Sequence, residues 1–570
     1  MRSFSQRMAT LAVNTLQSVK GRKIYRRVLR EFDNPMAVQR DFLLRLVADN
    51  KDTEYGRKYH FDEIHSVEDF KRLVPVTGWE DYKDYVERMK QAEENVLTAY
   101  PCRHFNLTSG TSGTPKNIPY TDRQQDMFLK YNSLYIQGLL REKLGAGWCK
   151  GRCFCPMTFG CETLENGITV GHAAAKMTET MGAEKADKML RTLYTTPLEG
   201  MANVPGTDLN YIQCRFFLEA EDVTGIIVPY YSQLVAFLHY LRKNYALLID
   251  DIEKGTIDPS VELPAETRES LLKKISPNPK RAAALRAVFA DGADFPFIPK
   301  VWPNMRYLVG VGGDGLSVYD RMIKEYYSGD TLANFYSGIT STEGLYSITC
   351  AVNETGAALA PGGAFMEFLP VEEEDTSKTV TMDRLEVGRR YELIVTNLAG
   401  FYRYRLSDSV LVTGKIRNTP RVEFAYRTNK TVNMCSEKIT EETLETIVRE
   451  ATDELGIELY DFNLYLDYEN MGYDFLVEPV REYPSIHADE LSAALERALR
   501  RNNDVYPAQI DMGARKAPVG HFLQVETNLL YRDKLAMQGV NTTTLKPLHI
   551  LSKPEDERFF RFMIEHSFDS

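Results

Sequence analysis

Asn106-Leu107-Thr108-Ser109-Gly110-Thr111-Ser112-Gly113-Thr114-Pro115-Lys116 packs hydroxyls, two glycines and one lysine at a spacing that suits a polyphosphate. Gly110 and Gly113 permit the positive φ and close backbone approach that let successive amides converge on an anion. Thr108, Ser109, Thr111 and Ser112 offer hydroxyl donors, and Lys116 supplies the countercharge. A Walker A loop separates its glycines by four residues and follows its lysine with Ser or Thr; here two residues separate the glycines and Asn117 follows. No hydroxyl is placed there for magnesium, so a P-loop NTPase is excluded. Taken alone, the same composition also describes a Ser/Thr/Gly surface turn, and the rest of the chain has to decide.

The chain has 570 residues, 43% of them hydrophobic, which implies two or more soluble, globular domains. A net charge of −11 argues against a large nucleic-acid footprint. The nearest approach to a membrane span, Gly225 to Leu241, is interrupted by Pro229, Ser232, Gln233 and His239, and is expected to be a core helix. The first thirty residues carry eight basic side chains and no acid before Glu31. That composition is shared by transit peptides and membrane-touching helices. Because the helical pattern runs on through Asp41 to Ala48 without a cleavage-like break, the segment is expected to be a helix of the fold. With no secretory signal, a cytoplasmic location is expected. Cys149, Cys153, Cys155 and Cys161 crowd together but lack a second zinc knuckle. Cys153 and Cys155 sit in an apolar, strand-like run where they would pack as small hydrophobes.

Helical patterns at Ala37–Ala48, Val67–Leu73 and Trp79–Ala92 form a lead-in to the hydroxyl-rich loop, followed by helices at Asp122–Lys143, Ala183–Tyr194 and Tyr230–Tyr245. Strands are expected at Arg152–Pro156, Arg306–Val311, Gly363–Leu369, Arg390–Asn397 and Ser409–Thr413, with Glu372–Asp375 a solvated loop. Interleaved strands and helices imply a mixed α/β body. From about Arg427 a new alternation begins: helix Thr440–Asp453, strands Asn463–Asp467 and Tyr473–Glu478, helix Ala488–Arg501. This describes a separate small α+β domain, with its boundary near 428–438.

Three more runs suit parts of a nucleotide. Tyr307-Leu308-Val309-Gly310-Val311-Gly312-Gly313-Asp314-Gly315 ends a strand in glycines, leaving bare backbone for a flat ring. Phe335-Tyr336-Ser337-Gly338-Ile339-Thr340-Ser341-Thr342-Glu343-Gly344 places a carboxylate after a hydroxyl-rich turn, as a magnesium ligand beside phosphates requires; the same residues also read as a helix N-cap, Thr340 or Ser341 with Glu343 in the first turn. Asn397-Leu398-Ala399-Gly400-Phe401-Tyr402-Arg403-Tyr404-Arg405-Leu406-Ser407-Asp408 precedes a strand, and Asp408 at its edge suits two ribose hydroxyls or a salt bridge with Arg403 or Arg405.

In this order the runs resemble the adenylate-forming superfamily of acyl-CoA synthetases, peptide-synthetase adenylation domains and luciferases. Thr108–Lys116 is similar to its phosphate loop, Thr340–Glu343 to its Thr-Glu motif, and Tyr404-Arg405-Leu406-Ser407-Asp408 to its Tyr-Arg-x-Gly-Asp motif. Within the superfamily the chain resembles the Gretchen Hagen family, the auxin-responsive acyl acid amido synthetases of plants and their bacterial relatives. The resemblance is carried by Asn50-Lys51-Asp52-Thr53-Glu54-Tyr55-Gly56, Val74-Pro75-Val76, Phe401-Tyr402-Arg403-Tyr404-Arg405 and Glu423-Phe424-Ala425-Tyr426-Arg427-Thr428-Asn429.

The resemblance implies an α/β protein with a large N-terminal domain, 1–428, binding ATP and the acid, and a small α+β C-terminal lid, 429–570. It implies that Thr108, Ser109, Gly110, Thr111, Ser112, Gly113, Thr114 and Lys116 hold the phosphates, and that Gly312 and Gly313 flank the adenine. Thr342 and Glu343 would contribute at the nucleotide, with Glu343 the Mg2+ ligand, Asp408 would take the ribose, and Arg427 and the hinge Lys438 would complete the contacts. Lys546, in the closing segment Gln538–Pro547, would be the lid lysine that reaches the reacting carboxylate. Two departures stand out: Ser407 replaces the motif's glycine, and Ile339 stands where an aromatic often covers the adenine. The implied reaction is adenylation of a carboxylic acid and transfer of the acyl group to an amine, with small-molecule partners. The rival readings are an acyl-CoA ligase and a nucleotide-binding homologue without chemistry. The acid pocket is expected from the helix after Asp122, from Phe159 to His172 and from side chains near Ile227 to Tyr231.

Overall fold

The computed structural model describes the chain except residues 1–2, 109–115, 146, 173–180, 203, 205, 313–316, 429–430, 433–438, 468–470, 512–514, 541, 543–544, 552 and 565–570. Among the described residues the chain divides into two compact units, one running to Phe424 and the other beginning at Ala425.

The first unit holds a parallel sheet in the order Arg152–Phe154, Val223–Tyr230, Tyr307–Val311, Ala333–Tyr336. Its strands are apolar and follow helices, as crossover connections require. A second, antiparallel sheet runs Ser347–Ile348, Ala357–Leu359, Thr419–Arg427, Tyr404–Ile416, Arg390–Thr396, Phe365–Pro370, Val380–Thr381. One core joins this sheet to the lead-in helices through Leu43, Tyr55, Tyr82, Phe365, Phe401 and Tyr402. Tyr82 is central to it: its hydroxyl donates to the Tyr402 carbonyl at 2.7 Å and accepts from the Tyr402 amide at 2.9 Å.

Most elements lie where periodicity puts them. Val67–Leu73 is a helix over the expected residues, with Ser66 capping it through the Asp69 amide. The expected helix Asp122–Lys143 exists as Asp122–Phe128 and Tyr135–Leu144 joined by a π-helical stretch, Leu129–Leu134. The expected helix Trp79–Ala92 is instead a short 3₁₀ turn, Trp79–Asp81, followed by Lys83–Lys90. Of the core helix expected at Gly225–Leu241 only the part from Tyr231 is helix, running on beyond Tyr245 to Lys254, while Val223–Tyr230 is a strand; the strand expected at Ser409–Thr413 extends from Tyr404 to Ile416. Cys155 is buried, and the Cys153 thiol lies 2.8 Å from the Tyr307 hydroxyl; burial pushes both thiols up, to about 11 for Cys153 and about 12 for Cys155.

The basic N-terminal segment is a single helix, Phe4–Glu31, capped by Ser3. Its N-terminal half packs through small and polar residues, Thr10 donating to the Thr192 carbonyl at 2.7 Å and Asn14 to the Gly151 carbonyl at 2.8 Å, and its C-terminal half packs Val28 into the core. Gly21 crosses Gly138 so closely that a Cβ on Gly138 would sit 2.3 Å from the Gly21 carbonyl oxygen.

The second unit has a sheet in the order Val519–Phe522, Gly472–Pro479, Leu459–Asp467, Ile550–Leu551. Helices Glu441–Glu454 and Ala488–Asn502 bury Leu444, Ile447, Leu491 and Leu495 in a shared core with the sheet residues Leu464 and Phe475. Among the described residues, no helix is long and apolar enough to cross a membrane.

Candidate functional site

The hydroxyl-rich loop is the connection of an antiparallel hairpin that periodicity did not disclose. Cys102–Leu107 pairs with Asn117–Thr121, and the last rung before the loop is Leu107 opposite Asn117. Beyond it the Thr108 amide donates to the Lys116 carbonyl at 3.0 Å, and the Lys116 amide donates to the Thr108 hydroxyl oxygen at 2.9 Å. Thr108 therefore closes the loop as an acceptor, keeping its O–H proton for another partner. The Lys116 ammonium lies 5.3 Å from the centre of the Trp79 ring and 3.5 Å from the Tyr404 hydroxyl. Ser109, Gly110, Thr111, Ser112, Gly113 and Thr114 lie outside the described residues, as do Gly313 and Lys438.

Glu343 stands in a two-residue turn, not at a helix start: Ser341 pairs with Gly344 in a short hairpin whose tip is Thr342-Glu343. Its side chain is buried, and Ser341 donates to its carboxylate at 2.6 Å while accepting from its amide at 3.1 Å. Its carbonyl takes two further donors, Gln124 Nε2 at 3.0 Å and Asn397 Nδ2 at 3.1 Å. Burial pushes the Glu343 carboxyl above its ordinary value, the Ser341 hydrogen bond opposes this, the charge of Asp408 adds to it and that of Lys116 counters it. The loop lysine and the two carboxylates thus share one electrostatic neighbourhood.

Asp408 is buried on the strand Tyr404–Ile416. The rungs Ile394–Arg405 and Glu392–Ser409 leave three residues, Leu406 to Asp408, opposite the single Leu393. At the centre of this bulge Ser407 has φ 60°, the left-handed conformation that the motif's glycine would adopt without strain. The departure at Ser407 leaves the turn itself in place. Arg403 is bound to Glu367 and Arg405 to Glu392, so both arginines of the salt-bridge reading are held by other carboxylates.

Gly312 meets a ring of the protein itself. A Cβ there would lie 2.3 Å from Tyr231 Cδ2, and one on Gly310 would lie 2.9 Å from Tyr231 Cε1. Tyr231 thus backs the glycine end of Tyr307–Val311. Ile339 is half-buried and its amide donates to the Ser347 hydroxyl at 2.7 Å. Arg427, half-buried, is the last residue of Thr419–Arg427.

Lys546 belongs to the second unit, half-buried in the segment before Ile550–Leu551. That segment is tied down by polar groups. Asn463 donates to the Leu548 carbonyl at 2.6 Å, and the buried His549 ring bridges Asp461, at 3.2 Å, and Glu441, at 3.0 Å. Burial alone would lower the imidazole, but the hydrogen bonds and charges of Asp461 and Glu441 raise it well above its ordinary value, so it is held as a cation.

Gln124 and Asn397 are the site residues that motif reading missed, and Ser341, read there as a helix cap, also donates to the Glu343 carboxylate. The first two act on a backbone carbonyl, which no side-chain pattern announces.

A parallel sheet, an antiparallel sheet, a loop hairpin with lysine, two buried carboxylates and a separate α+β unit together make an α/β fold that solved structures share. The chain is similar in fold to 2-hydroxyisobutyryl-CoA ligase in its complex with 2-HIB-AMP, with a TM-score of 0.52 and 13% identity over 92% of this chain and 91% of that one. It aligns more fully with GH3.15 acyl acid amido synthetase, with a TM-score of 0.81 and 20% identity over 94% of this chain and 95% of the other. The GH3 family N-terminal domain matches residues 25–332 and the GH3 family central domain matches residues 357–427. The chain belongs to the GH3 family, the Gretchen Hagen family of the motif resemblance. Among its relatives, indole-3-acetic acid-amido synthetase GH3.3 of Arabidopsis thaliana is 27% identical over 77% of this chain and 76% of its own length. Jasmonoyl--L-amino acid synthetase GH3.5 of Oryza sativa subsp. japonica is 25% identical over 92% of this chain and 95% of its own.

Proposed function

We propose that this chain is an ATP-dependent acyl acid amido synthetase, which adenylates a small carboxylic acid and passes the acyl group to an amine, an amino acid by analogy with its relatives. The observation that carries the reading is the grouping of the half-buried Lys116 with the buried carboxylates Glu343 and Asp408, beside the Thr108–Lys116 hydrogen bonds at the ends of the hydroxyl-rich run.

A carboxylate is a poor acyl donor because its leaving group is an oxide. In the first half-reaction a carboxylate oxygen attacks the α-phosphorus of ATP, the bond to the bridging oxygen breaks, and pyrophosphate leaves. Lys116 and the loop residues Thr108 to Thr114 hold the phosphates and spread the charge of the departing group. Asp408 takes the ribose hydroxyls, Gly312 and Gly313 flank the adenine, and Arg427 and Lys438 complete the nucleotide contacts. Mg2+ suits a buried carboxyl whose negative neighbour is Asp408, and Glu343, with Thr342 beside it, would hold it together with phosphate oxygens; when bound it neutralises phosphate charge. In the second half-reaction the amine nitrogen attacks the acyl carbon, AMP leaves with the bonding pair, and the ammonium proton passes to solvent. Residues 1–428 form the ATP- and acid-binding domain and 429–570 the lid, hinged about 428–438, with Lys546 as the lysine for the reacting carboxylate. The substrates are small molecules, nucleic acid is not one of them, and the compartment is the cytoplasm.

The test is acid-dependent exchange of labelled pyrophosphate into ATP with aryl, indole and fatty acids, for the native chain, Lys116→Ala and Glu343→Ala. Exchange that disappears in both variants supports adenylation. Amino acids then releasing AMP support amide formation, whereas CoA doing so instead makes the chain an acyl-CoA ligase. ATP binding without exchange for any acid overturns the catalytic reading.

A further inference from the structure

The helix Phe4–Glu31 packs Val28 into the core near its C-terminal end, but its N-terminal half exposes its large apolar residues, which a helix packed only on its own protein would bury. At 3.6 residues per turn, Thr10, Asn14, Ser18 and Gly21 share the buried face with Val28, while Phe4, Met8, Leu11, Leu16 and Val19 of the first five turns point outward. Phe4 is 81% exposed, Leu16 57%, Met8 and Val19 47% each, and Leu11 36%. Fully burying residues of this size is worth about 1.5–3 kcal/mol each, so their alignment on one outer face is not neutral.

The same outer face continues toward the C-terminus as cations. Arg22, Lys23, Arg26 and Arg30 are exposed, and no acid occurs before Glu31, in a chain whose net charge is −11. Apolar anchors followed by a cationic row, on a helix clamped from behind by the Gly21–Gly138 crossing, form a surface for lying in an interface. Long basic side chains extend their charge while their stems cover apolar surface.

We infer that the outer face of Phe4–Glu31 is a membrane-docking surface that takes the anionic headgroups of a lipid bilayer, holding the enzyme peripherally at the lipid–water boundary. The charge sequence favours lipid over a second copy of this chain. One extended row of a single sign needs a continuous surface of the opposite sign, which a fluid anionic leaflet supplies without shape matching. The inference is independent of the reaction proposed above.

The test is sedimentation of the full chain with phosphatidylcholine vesicles, with and without phosphatidylserine, at low and high salt. The expected result is association with the anionic vesicles alone, weakened by salt. At about 1 kcal/mol per cation, Arg22→Ser with Arg26→Ser is expected to weaken it about thirty-fold. Phe4→Ser with Leu16→Ser is expected to weaken it at unchanged salt dependence. Both pairs should leave the unfolding midpoint and pyrophosphate exchange in solution unchanged, since these side chains are exposed. No association with anionic vesicles, or equal association with neutral ones, overturns the inference. So does a concentration-dependent dimer that Phe4→Ser with Leu16→Ser abolishes, which would place a second copy on this face.

Discussion

Arg403 forks onto Glu367: its Nε donates to Oε2 and its Nη2 to Oε1, both at 2.9 Å, with both residues buried. The remaining Arg403 nitrogen donates to the carbonyls of Lys71 and Val74 at 2.9 and 2.8 Å. The pair ties the lead-in helix Val67–Leu73 to the start of the strand that delivers Tyr404 and Asp408.

Removing one partner strands a buried charge. Arg403→Met or Glu367→Gln alone is expected to cost about 3–5 kcal/mol, and Arg403→Met with Glu367→Leu to recover part of it. Thermal unfolding of the three variants measures this; single variants as stable as the native chain would refute it.

Asn397 and Gln124 both donate to the carbonyl of Glu343. If Glu343 holds Mg2+ as proposed, Asn397→Ala is expected to slow pyrophosphate exchange about 10–100-fold, and to lower stability too, because the buried Asn397 side chain also accepts from the Ala399 and Phe401 amides. Gln124→Ala should act in the same direction. An unchanged exchange rate in either variant would show that Glu343 is held without it.

Ser407 carries a Cβ in left-handed backbone, a conformation that costs a non-glycine residue roughly 1–2 kcal/mol. Ser407→Gly is therefore expected to raise the unfolding midpoint, with a gain of about 1 kcal/mol. A lowered midpoint would mean that the hydroxyl contributes more than the backbone strain removes.

Glu478 is buried in the second unit, accepting from the Asn528 amide and Nδ2, each at 2.8 Å. Burial pushes its carboxyl up to about 8, against the Asn528 hydrogen bonds. The folded state then binds more protons than the unfolded one between the unfolded value of 4.5 and about 8. The stabilisation is complete below that window and disappears as pH rises through it. Glu478→Gln is expected to flatten this slope and to be the more stable form above it. Unfolding of the full chain followed across the window, with parallel slopes for the two proteins, would exclude the assignment.

Long periodic elements were legible because their burial follows their pattern: Ala488–Asn502 buries Leu491, Ala494, Leu495, Ala498 and Leu499, one helical stripe. The hairpin around the loop was not, because a polar residue occupies its core. His104 is buried in Cys102–Leu107, its Nδ1 2.7 Å from the Thr169 hydroxyl and its Nε2 3.2 Å from Asn106 Oδ1. A satisfied histidine breaks the apolar alternation that marks a strand. The same holds for Tyr404–Ile416, whose first residues include Arg405, Ser407 and Asp408 and so look like loop. At the site, Lys116, Glu343 and Asp408 were legible as charges in motifs. The donors behind Glu343 were not, since they recognise main chain. The hydroxyl-rich run at Thr340–Glu343 fits a helix cap and a tight hairpin equally well until the pairing of Ser341 with Gly344 decides.

The closure of Thr108 on Lys116 has a consequence for engineering. Paired strands and two hydrogen bonds fix the register on both sides of residues 109–115, so substitutions in that run leave the flanking rungs to be held by Leu107, Thr108, Lys116 and Asn117. Libraries confined to residues 109–115 would then test the proposed phosphate role of that run with the hairpin's own anchors unchanged.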